Sequence, residues 1–273
     1  MLLYQMKEQE MKIVEIDPRD DVIEYAIGDV HGYLDHMAVA LDYCAHDAAA
    51  AGKKGRAHLL GDYVDRGPNS AGVLNYLINE PCPDHMEWLP ICGNHDYVFY
   101  STCKDDKFEL SYEWWLHGGQ QTLMSYGWDP IINGLPNSIG EWVPKEHLTF
   151  IEQLPMANKV GNLLFVHAGI QPGKPLEQQT LKDLMWIRGE FLTHKESHGV
   201  TVIHGHSPEK ENPIYHGNRV AMDSGCFYTG EIAVARFDKN SAKPRLKTFS
   251  TLEATIHKQN NKNFKDETPT SKL

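Results

Sequence analysis

The stretches VIEYAIGDVHG at residues 22–32, HLLGDYVDRG at residues 58–67 and MEWLPICGNHD at residues 86–96 decide the fold of this chain. Each stretch begins with a short apolar run that stops at a glycine, and acidic, amide or imidazole side chains follow. Apolar runs of this length, bounded by glycine, are typical of buried strands. Helical periodicity over residues 33–51 and 70–78 alternates with them, which predicts an α/β fold built from βαβ-type units.

The polar side chains of these stretches follow predicted strand ends, where open α/β sheets place their functional sites. The residues in such positions are Asp29, His31, Asp62, Asp65, Arg66, Asn94 and His95 and, after two later strands, His167 and His206. Carboxylate, imidazole and amide groups without cysteine suit manganese, iron or zinc, and disfavour a structural zinc site. Two metals roughly 3.5–4 Å apart can clamp both oxygens of an in-line phosphoryl displacement, with one aspartate bridging them.

The rest of the chain predicts elements that extend this layer. We expect a helix over residues 145–153, a hairpin turn before a strand at residues 163–166, and another strand at residues 200–203. A second hairpin is predicted over residues 213–222, and a strand over residues 231–237 closes the sheet.

Two segments between these elements give a weaker signal. Residues 111–126 predict one or two helices interrupted at Gly118 and Gly119, with Trp114 as a packing residue. Residues 128–143 are rich in proline, glycine and asparagine, which predicts a loop.

The two ends of the chain are polar and lack a clear period. Residues 1–20 therefore predict a flexible N-terminal arm, and residues 239–273 predict a loosely ordered C-terminal tail. The globular domain is expected over residues 21–238, within a chain of 273 residues that can bury a sizeable core.

Composition limits the partners of this chain. The formal net charge of −11 argues against a nucleic-acid partner, although metal ions could still supply positive charge for a phosphate substrate. No apolar run approaches the length that spans a bilayer, so no membrane partner is expected. Five widely spaced cysteines favour a reducing compartment, and we expect a cytoplasmic protein. The final tripeptide, residues 271–273, would be a peroxisomal signal if the chain were eukaryotic.

The motifs GDVHG, GDYVDRG, GNHD, HAG and GHSP together closely resemble the phosphoprotein phosphatase family of metallophosphoesterases, in its bacterial and phage serine/threonine phosphatase form. The resemblance runs from about residue 22 to residue 237. It implies an α/β fold of the calcineurin-like sandwich type, with two mixed β-sheets flanked by helices. It also implies hydrolysis of phosphomonoesters with two divalent metal ions, with a metal-bridging hydroxide as nucleophile. Manganese is the expected metal, and iron and zinc are compatible with the same ligands.

The resemblance implies a set of metal ligands. These are Asp29 and His31 for the first metal, Asp62 as the bridge, and Asn94, His167 and His206 for the second metal.

It also implies how the substrate is held and cleaved. His95 would protonate the leaving group, and Asp65 would orient and charge its imidazole. Arg66 and Arg188 would hold the phosphate oxygens together with Asn94, a task that suits the planar guanidinium.

Three features bear on the substrate. Asp96 stands where most protein phosphatases of this family have glutamate, and both it and the pair Gly225–Cys226 resemble the symmetrical dinucleoside tetraphosphate hydrolases. Asp65, which those hydrolases typically lack, favours a serine/threonine protein phosphatase. The leading hypothesis is thus a phosphoprotein or small phosphoester substrate. The alternative is a dinucleoside tetraphosphate, which would need an aromatic or apolar slot for adenine. An inactive phosphate-binding scaffold fits less well, because no ligand is missing.

Overall fold

Two mixed β-sheets form the centre of the computed structural model, which describes residues 12–105, 112, 114–134, 136, 138–209, 211–239, 241 and 243–266. In chain order the strands are β1 (Ile13–Ile16), β2 (Val22–Ile27), β3 (Lys54–Leu59), β4 (Met86–Pro90), β5 (Ala157–Val160), β6 (Leu163–Val166), β7 (Thr201–His204), β8 (Ile214–Tyr215), β9 (Arg219–Ala221), β10 (Glu231–Phe237) and β11 (Arg245–Ser250). A six-stranded sheet has the order β1-β5-β6-β7-β9-β8, and a five-stranded sheet has the order β11-β10-β2-β3-β4.

Helices pack against these sheets. In chain order they are α1 (Leu34–Ala50), α2 (Ser70–Asn79), α3 (Asn94–Asp105), α4 (Gln120–Ser125), α5 (Pro130–Asn133), α6 (Lys145–Gln153), α7 (Leu181–Trp186), α8 (Gly189–Thr193), α9 (Cys226–Thr229) and α10 (Thr251–Asp266). The longest of the early helices, α1, packs on β2, β3 and β10. It buries Met37, Leu41 and Cys44, which lie three and four residues apart on one helical face.

Parallel pairing decides where the loops meet. In one sheet β2, β3 and β4 are parallel neighbours, and in the other β6, β7 and β9 are parallel neighbours. Because parallel strands end at the same edge of a sheet, the loops that follow them are brought together there. The polar motifs of the sequence lie in these loops.

The two sheets pack face to face through an apolar layer. Its buried members include Ala26, Leu60 and Ile91 from one sheet region and Phe165, Ile203 and Val220 from the other. His58 contributes a ring that stacks on Phe165 with the centroids 3.7 Å apart. All residues of β2 are buried, which explains why its sequence is a nearly continuous apolar run. The predicted architecture of two mixed sheets flanked by helices is confirmed.

The expectation of a flexible arm over residues 1–20 is wrong for its described part. Residues Ile13–Ile16 form β1, which pairs in parallel with β5 at the edge of the six-stranded sheet. Four residues are too few to give a period in the sequence, and the pairing partner lies more than 140 residues away. Residues 1–11 lie outside the described part of the chain.

The expectation of a loosely ordered tail from residue 239 is also wrong for most of its length. The strand β11 pairs antiparallel with β10, so β10 does not close the sheet. Helix α10 then packs on α1. Only Phe249 of β11 is buried and α10 buries Ala254, so these elements carry few large apolar residues that the sequence could reveal. The C-terminal tripeptide lies outside the described residues.

Most other predicted elements are present within one to four residues of their expected ends. The interruption predicted at Gly118 and Gly119 lies in a π-helical turn, Trp115–Gly119, that precedes α4. The loop predicted at residues 128–143 contains the short helix α5 and a 3₁₀ turn, Gly140–Trp142. Across the described ranges, none of the helices combines the length and apolar character that crossing a bilayer requires.

Candidate active site

The loops after the parallel strands assemble one buried polar site. Asp29 and His31 follow β2, and Asp62 with its neighbours Asp65 and Arg66 follows β3. The remaining residues come from the start of α3 (Asn94 and His95), from the ends of β6 and β7 (His167 and His206), and from the residue before α8 (Arg188). The structure thus brings together every residue that the sequence predicted for the site.

Backbone strain is concentrated in this site. Among the described residues, the non-glycine residues with positive φ are His31, Asp62, Asp65, Arg66 and His206, with φ between 45° and 71°. Such conformations are costly for residues with a Cβ atom and are maintained only when surrounding contacts enforce them. All of them are predicted site residues, so the strain supports a functional role for this cluster.

Asp62 is the geometric centre of the site. Two groups of possible metal ligands contain it, one with His31 and His95 and the other with His167 and His206. Within each group the ligand atoms lie within 4.8 Å of one another. A carboxylate common to two ligand groups has the position that a bridging ligand between two metals requires.

Hydrogen bonds settle which nitrogen atoms of two histidines are available to a metal. His31 Nδ1 lies 2.9 Å from the carbonyl oxygen of Val64, and His167 Nδ1 lies 2.7 Å from that of Leu60. A carbonyl can only accept, so each Nδ1 carries the hydrogen and each Nε2 presents a lone pair. Burial lowers the pKa of His31 to about 3 and also lowers the pKa of His167. Both rings are therefore neutral and suited to bind a metal.

Asn94 completes the second group. Its Oδ1 lies 2.8 Å from His167 Nε2 and 2.8 Å from His206 Nδ1. Because His167 Nε2 has no hydrogen, two lone pairs face each other at this point, which a cation between them would resolve. Burial lowers the pKa of His206 to about 2, so this ring is neutral as well.

Asp29 has a buried oxygen that needs a partner. Its Oδ2 accepts a hydrogen bond from the backbone N–H of His206 at 3.0 Å, whereas its Oδ1 is buried without a hydrogen bond. Burial, together with the charges of Asp223 and Asp62, raises the pKa of Asp29. A buried carboxylate oxygen of this kind is expected to coordinate a metal. These donors therefore fit divalent metal ions.

Two arginines flank the ligand groups. Arg66 donates from Nη1 to His31 Nε2 at 3.0 Å and from Nη2 to His95 Nε2 at 2.9 Å. Arg188 donates from Nε to His206 Nε2 at 3.1 Å and from Nη2 to the His206 carbonyl at 2.8 Å. A phosphate bound between the two ligand groups would lie within reach of both guanidinium groups.

His95 and Asp65 form a buried pair. His95 Nδ1 donates to Asp65 Oδ2 at 2.7 Å, while His95 Nε2 faces Arg66 and the metal ligands. Burial lowers the pKa of His95, but the charges of Asp62 and Asp65 outweigh this and raise it above its ordinary value. The pair can therefore hold a proton at a ring that faces the site.

The second oxygen of Asp65 is also occupied. Asp65 Oδ1 accepts a hydrogen bond from Trp114 Nε1 at 2.8 Å and one from Thr122 Oγ1 at 2.8 Å. The sequence does not reveal Thr122, and it predicts Trp114 only as a packing residue. One signal for the role of Trp114 is that a buried indole N–H needs a hydrogen-bond acceptor, and a buried carboxylate is a strong acceptor.

Asp96 supports the loop that carries Asp62. It accepts hydrogen bonds from the backbone N–H groups of Tyr63 at 2.8 Å and Gly93 at 2.9 Å. Asp96 is fully buried and does not belong to either ligand group. Asp96 thus connects the loops after β3 and β4.

Asp223 is a further acidic residue of the site to which the sequence assigned no role. It follows β9, and burial raises its pKa to about 6. The adjoining short helix α9 places Phe227 beside Arg66. The sequence did not predict this contact either.

The fold and the site together define a metal-dependent phosphoester hydrolase. The profile of the calcineurin-like phosphoesterases matches residues 25–237, and the chain belongs to that family. The predicted fold and the predicted phosphoric ester hydrolase class are thereby confirmed. The assignment of individual metal ligands stays a prediction.

Two relatives share the name bis(5'-nucleosyl)-tetraphosphatase. Bis(5'-nucleosyl)-tetraphosphatase PrpE (asymmetrical) of Anoxybacillus flavithermus (strain DSM 21510 / WK1) is 24% identical over 256 residues, covering 82% of this chain and 91% of the relative. A symmetrical bis(5'-nucleosyl)-tetraphosphatase of Pseudomonas fluorescens (strain Pf0-1) is 26% identical over 274 residues, covering 78% of this chain and 88% of the relative. The crystal structure of a putative diadenosine tetraphosphatase aligns with a TM-score of 0.59 and 19% identity, over 87% of this chain and 98% of that one.

Proposed function

We propose that this protein uses two divalent metal ions to hydrolyse dinucleoside polyphosphates. The observation that supports the chemistry is the position of Asp62 in two ligand groups that two arginines flank. The names of the relatives support the substrate class. This reverses the order of the two hypotheses drawn from sequence, because the relatives favour the dinucleotide over the phosphoprotein.

The chain offers ligands for both metals. Asp29 and His31 would hold the first, Asn94, His167 and His206 the second, and Asp62 both. Bound there, the metals would neutralise phosphate charge and make water nucleophilic near neutral pH. We propose manganese, and the same donors also suit iron or zinc.

The other site residues act directly on the substrate. Arg66 and Arg188 would bind the non-bridging oxygens of the reacting phosphate and position it between the ligand groups. Once Arg66, which donates to His95 Nε2 here, donates to the phosphate instead, His95 would hold a proton at Nε2 for the leaving oxygen. Asp65 would keep Nδ1 protonated and the ring oriented.

A second candidate is hydrolysis of phosphoserine or phosphothreonine in proteins. The buried pair of His95 and Asp65 favours it, because a serine alkoxide is a poor leaving group that needs a proton. A nucleotide leaves as a phosphate anion of low basicity and needs this proton less. The acid pair therefore favours a phosphomonoester substrate, whereas the names of the relatives favour a dinucleotide.

The test compares the two substrates on the same manganese-loaded protein. Product release would be timed from diadenosine tetraphosphate and from a phosphoserine peptide, with Asp62→Asn as the inactive control. A higher kcat/KM for the dinucleotide supports the proposal, and a preference for the peptide moves the protein to the second candidate. The nucleotide products separate the cleavage positions, since two ADP molecules indicate symmetrical cleavage and ATP with AMP indicates asymmetrical cleavage.

A further inference from the structure

Two exposed aromatic rings lie at the edge of the candidate active site. The turn between β9 and β10 contains α9, in which Phe227 is 36% exposed and Tyr228 is 60% exposed. The two rings meet edge to face, with their centroids 4.8 Å apart. Aromatic side chains beside a few convergent polar groups are typical of ligand-binding sites.

Local bonding holds this turn in one conformation. Asp223 Oδ1 accepts from the backbone N–H of Gly225 at 2.9 Å, and Thr229 Oγ1 donates to the carbonyl of Ser224 at 3.0 Å. Gly225 has a φ of 66°, and a Cβ atom at this position would lie 2.2 Å from the ring of Tyr228. The glycine therefore allows the Tyr228 ring to lie against the backbone. The aromatic pair is presented by a rigid turn.

The pair adjoins the phosphate-binding end of the site. The guanidinium carbon of Arg66 lies 4.5 Å from the centre of the Phe227 ring, and the ring of His31 lies 5.7 Å from it. Tyr33 also donates from its hydroxyl to the Phe227 carbonyl at 3.2 Å. A base stacked on one of these rings would thus lie a short distance from a phosphate bound by Arg66.

We infer that Phe227 and Tyr228 form the stacking surface for a nucleobase of the substrate. This inference rests on the proposed nucleotide function and adds the residues that select for the base. Aromatic rings bind every base through its flat face, so the surface would accept different bases. A phosphoserine side chain carries no aromatic group, so that side chain would leave this surface unused.

The test uses two ligands that differ only in the base. AMP and ribose 5-phosphate would each be titrated by calorimetry into the manganese-loaded protein and into its variants. Wild-type protein is expected to bind AMP roughly tenfold more tightly than ribose 5-phosphate, as expected for one base on an aromatic ring. Both ligands use the same phosphate site, so an effect of a substitution on that site cancels in the ratio of the two dissociation constants.

The variants remove the stacking faces one at a time. Tyr228→Ala and Phe227→Leu should each bring the ratio of dissociation constants towards one, whereas Tyr228→Phe should keep it near the wild-type value. Leu252→Ala, at an apolar position on α10 that is 68% exposed, is the surface control and should behave as wild type. Thermal melts verify that each variant is folded, and Phe227→Leu retains apolar bulk if Tyr228→Ala disturbs the turn.

The outcomes separate this inference from the proposed function. A wild-type ratio near one, or a ratio that neither variant changes, overturns the stacking surface even if diadenosine tetraphosphate is cleaved. A ratio that falls in both variants supports the surface, whatever the rate of dinucleotide cleavage. In that case, failure to cleave the dinucleotide would overturn only the proposed reaction.

Discussion

Asp65 has two carboxylate oxygens with different partners. Oδ2 accepts from His95 Nδ1, and Oδ1 accepts from Trp114 and Thr122. Three hydrogen bonds hold this fully buried carboxylate in one orientation. The position of His95 therefore depends on residues that do not themselves face the substrate.

Replacing Asp65 by asparagine should change the pH dependence of phosphomonoester cleavage. The raised pKa of His95 means that its proton is present below that pKa and is lost as the pH rises through it. Without the Asp65 charge this pKa falls, so the descending limb of kcat against pH should move to lower pH. The maximal rate should fall by roughly 10²–10⁴-fold.

The measurement is kcat for an alkyl phosphate ester over a series of buffered pH values with saturating manganese. An unchanged descending limb in Asp65→Asn would mean that another group supplies the proton.

Trp114→Phe should weaken proton donation without removing either partner of the acid pair. Loss of one hydrogen bond to a buried charge corresponds to roughly a tenfold lower rate. The loss should be greater for an alkyl phosphate ester than for an aryl ester, because the aryl leaving group needs no proton. Trp128→Phe is the matched control, since this buried indole donates to the carbonyl of Gly134 instead. Equal losses with both esters would indicate a general packing effect.

At the scale of elements, the π-helical turn before α4 supports Arg66, for which we propose a role in binding phosphate. Gly118 has a φ of 106°, and its carbonyl accepts from the backbone N–H of Arg66 at 3.2 Å. A Cβ atom on Gly118 would lie 2.4 Å from the Arg66 nitrogen. The turn thus packs directly on the strained backbone of Arg66.

Gly118→Ala should therefore impair substrate binding as well as folding. The substitution adds backbone strain on the order of 1–3 kcal/mol and displaces Arg66, so kcat/KM should fall by at least about tenfold. Gly127→Ala is the matched control, because Gly127 also has a positive φ of 90° but its Cβ would meet nothing within 4 Å. Steady-state kinetics and melting curves of the two variants would be compared. Equal kinetic losses would contradict a specific effect on Arg66.

The last strand and helix contribute to stability through a few buried residues. Phe249 of β11 is 4% exposed. Phe249→Ala should lower the free energy of unfolding by about 3–5 kcal/mol, as expected for a buried phenylalanine. Leu252→Ala, at an exposed neighbouring position, should change it by less than about 0.5 kcal/mol. Urea denaturation measures both, and a small effect of Phe249→Ala would mean that this end of the chain is loosely attached.

At the scale of the whole molecule, the site connects the two sheets. Asp29, His31 and Asp62 follow strands of the five-stranded sheet, whereas His167 and His206 follow strands of the six-stranded sheet. The backbone of His206 donates directly to Asp29 across this junction. Metal binding would therefore stabilise the sandwich as well as support catalysis.

Removing the metals should lower the melting temperature and abolish turnover. A ligand at one hundred times its dissociation constant stabilises the folded state by about 2.7 kcal/mol, which corresponds to several degrees in a protein of this size. Calorimetric scans with and without a chelator measure the shift, and added Mn²⁺ should restore it. The melting temperature of Asp62→Asn should respond much less to the chelator. If the chelator left the melting temperature of the wild-type protein unchanged, this would contradict the proposed link between metal binding and stability.

The sequence by itself determined the βαβ order, the strand ends that carry polar residues, and most of the polar residues that the structure brings together there. It could do so because buried parallel strands need apolar runs, and because glycines and acidic, amide or imidazole side chains mark the loops. Each of these signals lies within a few neighbouring residues.

The tertiary structure alone decided the features that depend on distant partners. The pairing of β1 with β5, the packing of α10 on α1, the hydrogen bond from Trp114 to Asp65, and the position of Phe227 beside Arg66 all join residues far apart in the chain. Edge strands and polar helices have little hydrophobic periodicity, and a tryptophan by itself is typical of a packing residue. Such contacts follow from the way the two sheets stack, which brings loops from both sheets to one edge.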